Sequence, residues 1–325
     1  MCSYRNTFLE SHDFTATVLH PLAIIEVPIH ILGTHILVFH TPSKMASIKW
    51  SMFALHVWSV LLDILMTAVT TPFVIFPFAA GSFTGFLSLL NAYKPIRLYL
   101  FETTIAATVT AILCLFENRY NALRIDKKQS ETVRTLQAVA NYILAFAFTM
   151  PPLFAVPEQS HAIQSVREQL PCLPSEVFDH PDFFVMSIDI RLMAYSAMAI
   201  AFTCCSQILY FFFRILRLLS RTENVSEHTQ RIQKKFYVAL SIQLSIPLLF
   251  LVCPVLYMIF AFMSGYFNQA LNNLLFVVIA LHGLVSTCVM LSVHSPYRQA
   301  VRKLICLWRK EDHRQTKRLS LVAYL

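Results

Sequence analysis

The chain has 325 residues, of which 56% are hydrophobic and only 14% charged, with a mean hydropathy of +0.58. Soluble domains carry about a quarter charged residues, so this composition excludes a water-solvated fold of that length and points to a chain solvated mainly by lipid. The net charge of +8 then becomes a question of where the charges lie, and no nucleic-acid partner is expected.

The first sixteen residues are polar, and no basic stretch followed by an apolar one marks a signal peptide. A membrane-crossing helix needs about 20 apolar residues. Seven stretches qualify: Ala16–Phe39, Ser51–Phe76, Ile96–Phe116, Leu136–Val156, Phe183–Phe213, Phe236–Met263 and Leu271–Val293. No stretch alternates apolar and polar residues over a strand long enough for a barrel, and backbone groups in hydrocarbon must be paired internally. The fold class expected is therefore an all-α membrane protein, a seven-helix bundle forming one receptor domain over 1–293, with a cytoplasmic segment over 294–325.

Orientation follows from the basic residues of the connections. The segments around His40–Trp50, Glu117–Thr135, Arg214–Lys235 and His294–Leu325 hold 21 Lys and Arg, against 3 in the segments that alternate with them. By the positive-inside rule the N-terminus lies outside and the C-terminus in the cytoplasm. The sequon Asn224-Val225-Ser226 falls on the inner side and is expected to stay unglycosylated.

Ionisable residues deep in a span are functional candidates. Asp63 lies near mid-depth of the second span and reads as a polar hub that rearranges on activation, or as a hydrogen-bonded packing residue. Glu102 stands seventeen residues before Arg119, about 25 Å along a helix. That puts Glu102, with Phe101 and Tyr99 beside it, near the outer end of the third span, at a depth suited to a ligand. Alternatively Glu102 is a carboxylate snorkelling to the interface. His30, His35 and His40 are spaced by five, off a common face, and there is no HExxH or HxxxH pair. Neither a metal site nor a cofactor is expected.

Pro72, Pro77, Pro151, Pro152, Pro247 and Pro254 fall in apolar runs, where each permits a kink. Pro254 is the candidate pivot. After the seventh span, Tyr297, Ala300, Val301, Leu304, Ile305 and Trp308 recur at helical spacing, with Arg298, Arg302, Lys303, Arg309 and Lys310 opposite. This predicts an amphipathic helix on the inner leaflet, with Cys306 as a lipidation candidate and Thr316 and Ser320 open to phosphorylation. Cys172 sits in the largest outer loop, where a disulfide would pin that loop. Cys2 is the other cysteine on that side.

The third span ends at Glu117-Asn118-Arg119-Tyr120, followed by Arg124, Lys127, Lys128 and Arg134. Seven spans with this terminus resemble a G-protein-coupled receptor. The resemblance narrows on Thr41-Pro42-Ser43-Lys44-Met45, Lys49-Trp50, Leu55-His56-Val57-Trp58-Ser59, Leu62-Asp63 and Pro72-Phe73 with Pro77 and Ala80-Gly81. Together with Phe116-Glu117-Asn118-Arg119-Tyr120 and His294-Ser295-Pro296-Tyr297-Arg298, these look like the nematode serpentine receptor class H chemoreceptors. The resemblance implies a rhodopsin-like bundle, coupling to a heterotrimeric G protein and a chemosensory role at neuronal cilia, and the expected ligand is an external small molecule or peptide. Together with Asp63 and Pro254, singled out above, Glu117, Arg119, Tyr120 and Tyr297 are expected to be the residues of activation and coupling. Asn118 departs from the usual D/E-R-Y, the span-seven N-P-x-x-Y is represented only by Ser295-Pro296-Tyr297, and the usual cysteine at the top of span three is missing. Residues two apart on a helix do not face each other, so Arg119 is expected to meet another helix or the G protein rather than Glu117. The alternatives are a seven-span ligand-gated cation channel of the insect odorant-receptor type, which the charge asymmetry opposes, and a transporter, for which no internal repeat is seen. A hydrolase would need a nucleophile–base pair or clustered ligands, and the chain is not expected to be an enzyme.

Overall fold

The computed structural model describes residues 4–304 and 306, except 91, 125–129, 149, 189–190, 221–230, 232–234, 236–237, 240 and 243–244. Cys2, Lys127, Lys128, the sequon at Asn224, Ile305, Trp308, Arg309, Lys310, Thr316 and Ser320 therefore lie outside the described residues.

Seven helical stretches among the described residues are long and apolar enough to cross a bilayer: His12–Phe39, Ile48–Val69, Lys94–Leu123, Glu131–Phe154, Ala194–Leu219, Ser245–Ser264 and Gln269–Val293. Helix α1 (His12–Phe39) starts where the Ser11 side chain accepts from Phe14 N, and it absorbs Pro21 and Pro28. Helix α2 (Ala46–Ile64) runs into a π-helical turn, Leu65–Val69. The chain then leaves the helix at Thr70 and Thr71. Pro72 explains the stop: its ring bars the preceding residue from helical geometry, and it has no N–H to donate.

The second span is therefore shorter than its apolar run, and the expected end at Phe76 is too late. Residues Pro72–Ile75 form strand β1, which pairs antiparallel with β2 (Ala79–Phe83), Pro72 opposite Phe83 and Ile75 opposite Ala80. Strand β3 (Phe184–Ser187) adds to β2 with Gly81 opposite Phe184. The expected fifth span likewise begins too early, because 184–187 is sheet and the spanning stretch starts at Ala194. A four-residue buried strand is a plain apolar run and carries no period that separates it from helix. Pro72 and Pro77 consequently do not kink a span: one opens a strand and the other sits in the hairpin turn. Gly81 is required there, since a Cβ would run into the Phe73 carbonyl and its φ is +159°.

Short α3 (Phe86–Leu89) leads to α4 (Lys94–Leu123), the central span, packed against α2, α5 (Glu131–Phe148) and the later helix Arg191–Ser220. Pro151 and Pro152 open a one-turn helix, α6 (Pro151–Phe154), rather than bending α5. The large connection after it is folded: α7 (Gln159–Gln169) and α8 (Ser175–Phe178) pack on the sheet around Phe73, Val166, Phe178 and Val185. Cys172 in this connection is disulfide-bonded, and the other cysteines of the described residues are free. Arg97 at the start of α4 fastens this lid, donating to Asp182 Oδ1 at 2.7 Å and to the Phe83 carbonyl at 2.8 Å.

Helix α9 (Arg191–Ser220) is followed by the sixth span, in which a π-turn, Leu248–Val252, joins α10 (Cys253–Ser264). The seventh span consists of α11 (Gln269–Ala280) and α12 (His282–Val293). Residues 295–304 form a further helix, α13. Its Tyr297 and Ala300 are buried against Ile36, Leu37 and Met52, while Arg298, Arg302, Lys303 and Cys306 are exposed, so the amphipathic face expected after span seven is present.

The bundle keeps large apolar side chains on its outside, with Ile24 77%, Phe202 77% and Phe154 85% exposed. In water such surface would drive aggregation; against lipid tails it is the stable arrangement. Inside, α4 contributes Phe101, Ile105, Ile112, Leu113 and Phe116 to the main core.

Candidate functional site

Beneath the sheet, a cavity of about 570 Å³ is enclosed by β1, β2, α4, α9, the sixth span and α11. Its walls are Phe76, Phe101, Ile105, Phe262 and Phe276, with Glu102 as the acidic group among the lining residues. The rings pack closely: Phe101 to Phe276 at 5.6 Å and Phe76 to Phe262 at 5.2 Å. No hydrogen bond from the described residues reaches the Glu102 carboxylate. Residues 101, 102, 105 and 106 share this wall because they are one and four positions apart on α4. Tyr99 points elsewhere: its hydroxyl faces the Phe146 carbonyl at 3.5 Å, outside the lining. Phe101 and Glu102 are thus brought together and Tyr99 is not. The second span reaches the cavity only through the strand after it.

Beside the cavity, the start of the seventh span is fastened by buried amides. Asn273 donates to the carbonyl of Leu9 at 2.8 Å, Asn272 to that of Phe76 at 3.3 Å and Gln269 to that of Val74 at 3.2 Å. The sequence signal was available, three amides at helical spacing in an otherwise apolar run, but sequence reasoning passed over it.

Asp63 is fully buried at the junction of α1, α2 and α12. It accepts from Gly283 N at 3.0 Å and stands 3.1 Å from His30 Nε2. Gly283 has to be glycine, since a Cβ would overlap the Asp63 carboxyl. Gly33 serves the same junction, because its Cβ would come within 2.6 Å of Thr287 and 2.9 Å of His56. Glu26 and Thr67 complete the cluster. Of its acids and histidines, sequence reasoning singled out Asp63 alone as a hub.

At the opposite end of the bundle, Glu117, Arg119, Tyr120 and Tyr297 are all buried. Glu117 Oε1 lies 3.8 Å from Arg134 Nε on α5, so the partner of the acid comes from the neighbouring span. Asn118, on another face of α4, donates to Ser51 Oγ. Tyr120 accepts from Arg214 of α9 at 2.9 Å and packs its ring on Phe211. Arg119 is 1% exposed and interacts electrostatically with Tyr297 and His294. Burial, and then the Arg119 charge, hold the His294 imidazole down to about 4, so it is neutral at physiological pH. The Tyr297 phenol is pushed up by burial, against the pull of Arg119 and the Thr41 hydroxyl 3.1 Å away. Pro254 stands in the first turn of α10, just after the π-turn, which is where a helix axis changes direction. Arg119 and Tyr297 are therefore neighbours, Glu117 and Tyr120 face separate spans, and Asp63 and Pro254 lie elsewhere in the bundle.

The comparisons with known proteins fit this architecture. The chain is 24% identical over 319 residues to Serpentine receptor class H-72 of Caenorhabditis elegans, a similarity covering 93% of this chain and 89% of that relative. Residues 10–307 match the family described as Serpentine type 7TM GPCR chemoreceptor Srh. That match spans the seven membrane helices and the helix after them, and the chain accordingly belongs to the Srh family of serpentine chemoreceptors as a multi-pass membrane protein.

Proposed function

We propose that this receptor binds an external small molecule in the cavity beneath the sheet and signals through a heterotrimeric G protein at the basic end of the bundle. The N-terminus and the sheet lie outside, and α13 lies on the cytoplasmic leaflet. By family, the place of action is the cilium of a chemosensory neuron. The observation that carries the reading is the cavity itself, about 570 Å³ and walled by aromatic and aliphatic side chains around the Glu102 carboxylate. Pockets that hold drug-sized ligands measure about 300–1,000 Å³ and combine apolar walls with a few polar anchors. A largely apolar ligand with one cationic or hydrogen-bond-donating group fits that description. Coupling between the cavity and the basic end requires the ligand to favour one packing of the bundle over another.

The test is a ligand screen on cells carrying the full chain, read as calcium or cyclic-nucleotide responses. Ala106→Phe fills the cavity wall and is expected to abolish the response to any ligand found while the receptor still reaches the surface. Glu102→Gln should weaken a cationic ligand by about 10- to 100-fold, the value of a hydrogen bond to a charged group. A full response from Ala106→Phe would place the ligand elsewhere. An epitope tag at Met1, read on intact cells, checks the orientation and rejects it if the tag is seen only after permeabilisation.

A further inference from the structure

Glu26 and His30 stand one helical turn apart on α1, so their side chains leave the same face. Asp63 meets them from α2. One ligating atom from each of the three lies within 4.8 Å of the other two, and all three residues are buried. The remaining polar atoms of the trio are held from outside it. Thr67 Oγ1 donates to Glu26 Oε2 at 3.4 Å, Gly283 N to Asp63 Oδ1 at 3.0 Å, and Thr287 Oγ1 pairs with His30 Nδ1 at 3.3 Å. Glu26 Oε1 has no hydrogen-bond partner although the residue is 0% exposed.

Two carboxylates side by side at membrane depth are costly unless their charge is compensated. Among the described residues no lysine or arginine forms an ion pair with Glu26 or Asp63. A proton shared between His30 and Asp63 accounts for their 3.1 Å contact but leaves Glu26 Oε1 unanswered.

We propose that Glu26, His30 and Asp63 form a binding site for a divalent transition-metal cation, with zinc as the best match. One imidazole nitrogen with two carboxylate oxygens is a borderline donor set, and three protein ligands with an open position are a common zinc arrangement. Calcium and magnesium instead take about six or more oxygens. Ligand atoms sharing a tetrahedral zinc at about 2.0–2.2 Å lie roughly 3.3–3.6 Å apart, so the widest separation the 4.8 Å envelope allows would close by about 1 Å when the ion binds. The outer contacts are those that orient metal ligands: with the metal on Nε2, the Nδ1–H of His30 donates to Thr287, which fixes the ring. The bound ion would tie span one to span two, and through Gly283 and Thr287 to span seven. The signal in the sequence is E-x-x-x-H at Glu26–His30, which a search for histidine pairs passes over.

The test uses the full receptor in nanodiscs, stripped of metal with a chelator. Saturating zinc should raise its melting temperature by about 5 °C, and sodium, magnesium or calcium should not. Glu26→Gln and His30→Gln should each remove that zinc-dependent rise. Cobalt added to the wild-type receptor should give the intense visible absorption of a four- or five-coordinate ion, a readout that needs no variant to fold. Absence of a zinc shift, an equal shift in both variants, a shift produced by sodium instead, or the pale spectrum of aqueous cobalt would each overturn the proposal.

Discussion

Arg119→Ala should reduce the second-messenger response to the level of cells without receptor while the protein still reaches the surface. The guanidinium is 1% exposed and interacts electrostatically with Tyr297 and His294. Glu117, two residues away, keeps its own partner in Arg134 when the guanidinium is removed. The bundle should therefore fold, and what disappears is the positive charge linking α4 to α13 and to the proposed coupling surface. A structural readout accompanies the functional one. With the Arg119 charge gone, the His294 pKa should rise from its value of about 4, since that charge is one of the two causes holding it down. Arg119→Lys keeps the charge but not the planar fork, so it should restore His294 more fully than signalling. A normal response in Arg119→Ala would remove this residue from the switch. Glu117→Gln should do less, since its partner Arg134 is 28% exposed and the contact is 3.8 Å long. Partly solvated pairs of that kind are worth about 0–1 kcal/mol.

Arg97→Met should lower stability by about 3–5 kcal/mol, the usual consequence of removing one member of a buried pair. The side chain is 2% exposed. It donates to Asp182 Oδ1 at 2.7 Å, to the Phe83 carbonyl at 2.8 Å, and to the Ala92 carbonyl at 3.1 and 2.9 Å. Without it, two backbone carbonyls and a carboxylate each lose a donor, and the hold of α4 on β2 and the β3 connection is weakened to contacts such as those of Lys94 with the Pro181 and Phe183 carbonyls. Thermal melting of the receptor in nanodiscs reads the effect, and an unchanged melting temperature would show that the lid is held by other contacts. The pH dependence has a definite sign. Burial alone would raise the Asp182 carboxyl, but hydrogen bonds from Ser88 and Arg97, together with the Arg97 charge, hold it below the usual range. The unfolded carboxyl titrates near about 3.9. The stabilisation is therefore fully present above that value and is lost as pH falls through the lower folded value. The gap in melting temperature between wild type and Asp182→Asn should stay flat from neutrality down to about pH 5 and close below about pH 4.

Much of the architecture was legible because membranes impose it locally. Each span announces itself by its own apolar length. The resemblance carried by Phe116–Tyr120 and His294–Arg298 agrees with a family match over residues 10–307. The depth of Glu102 followed from helical rise alone, and it lines the cavity. The failures have one cause. Strands β1 and β3 read as the end of span two and the start of span five, because an apolar strand of four residues differs from helix only through the partner it pairs with, and that partner is remote in sequence.

By itself the sequence determined the seven apolar spans, the basic bias of alternate connections, the amphipathic face of α13 and the offset of Arg119 from Glu117, all set by composition or by the geometry of one helix. Only the tertiary structure decided which groups meet. It paired Glu117 with Arg134, set Arg119 beside Tyr297, clamped the sheet with Arg97, and gathered Glu26, His30 and Asp63 against Gly283 and Thr287. These contacts join different spans, and the side chain a buried polar group finds across a helix interface depends on packing that no single stretch of chain encodes.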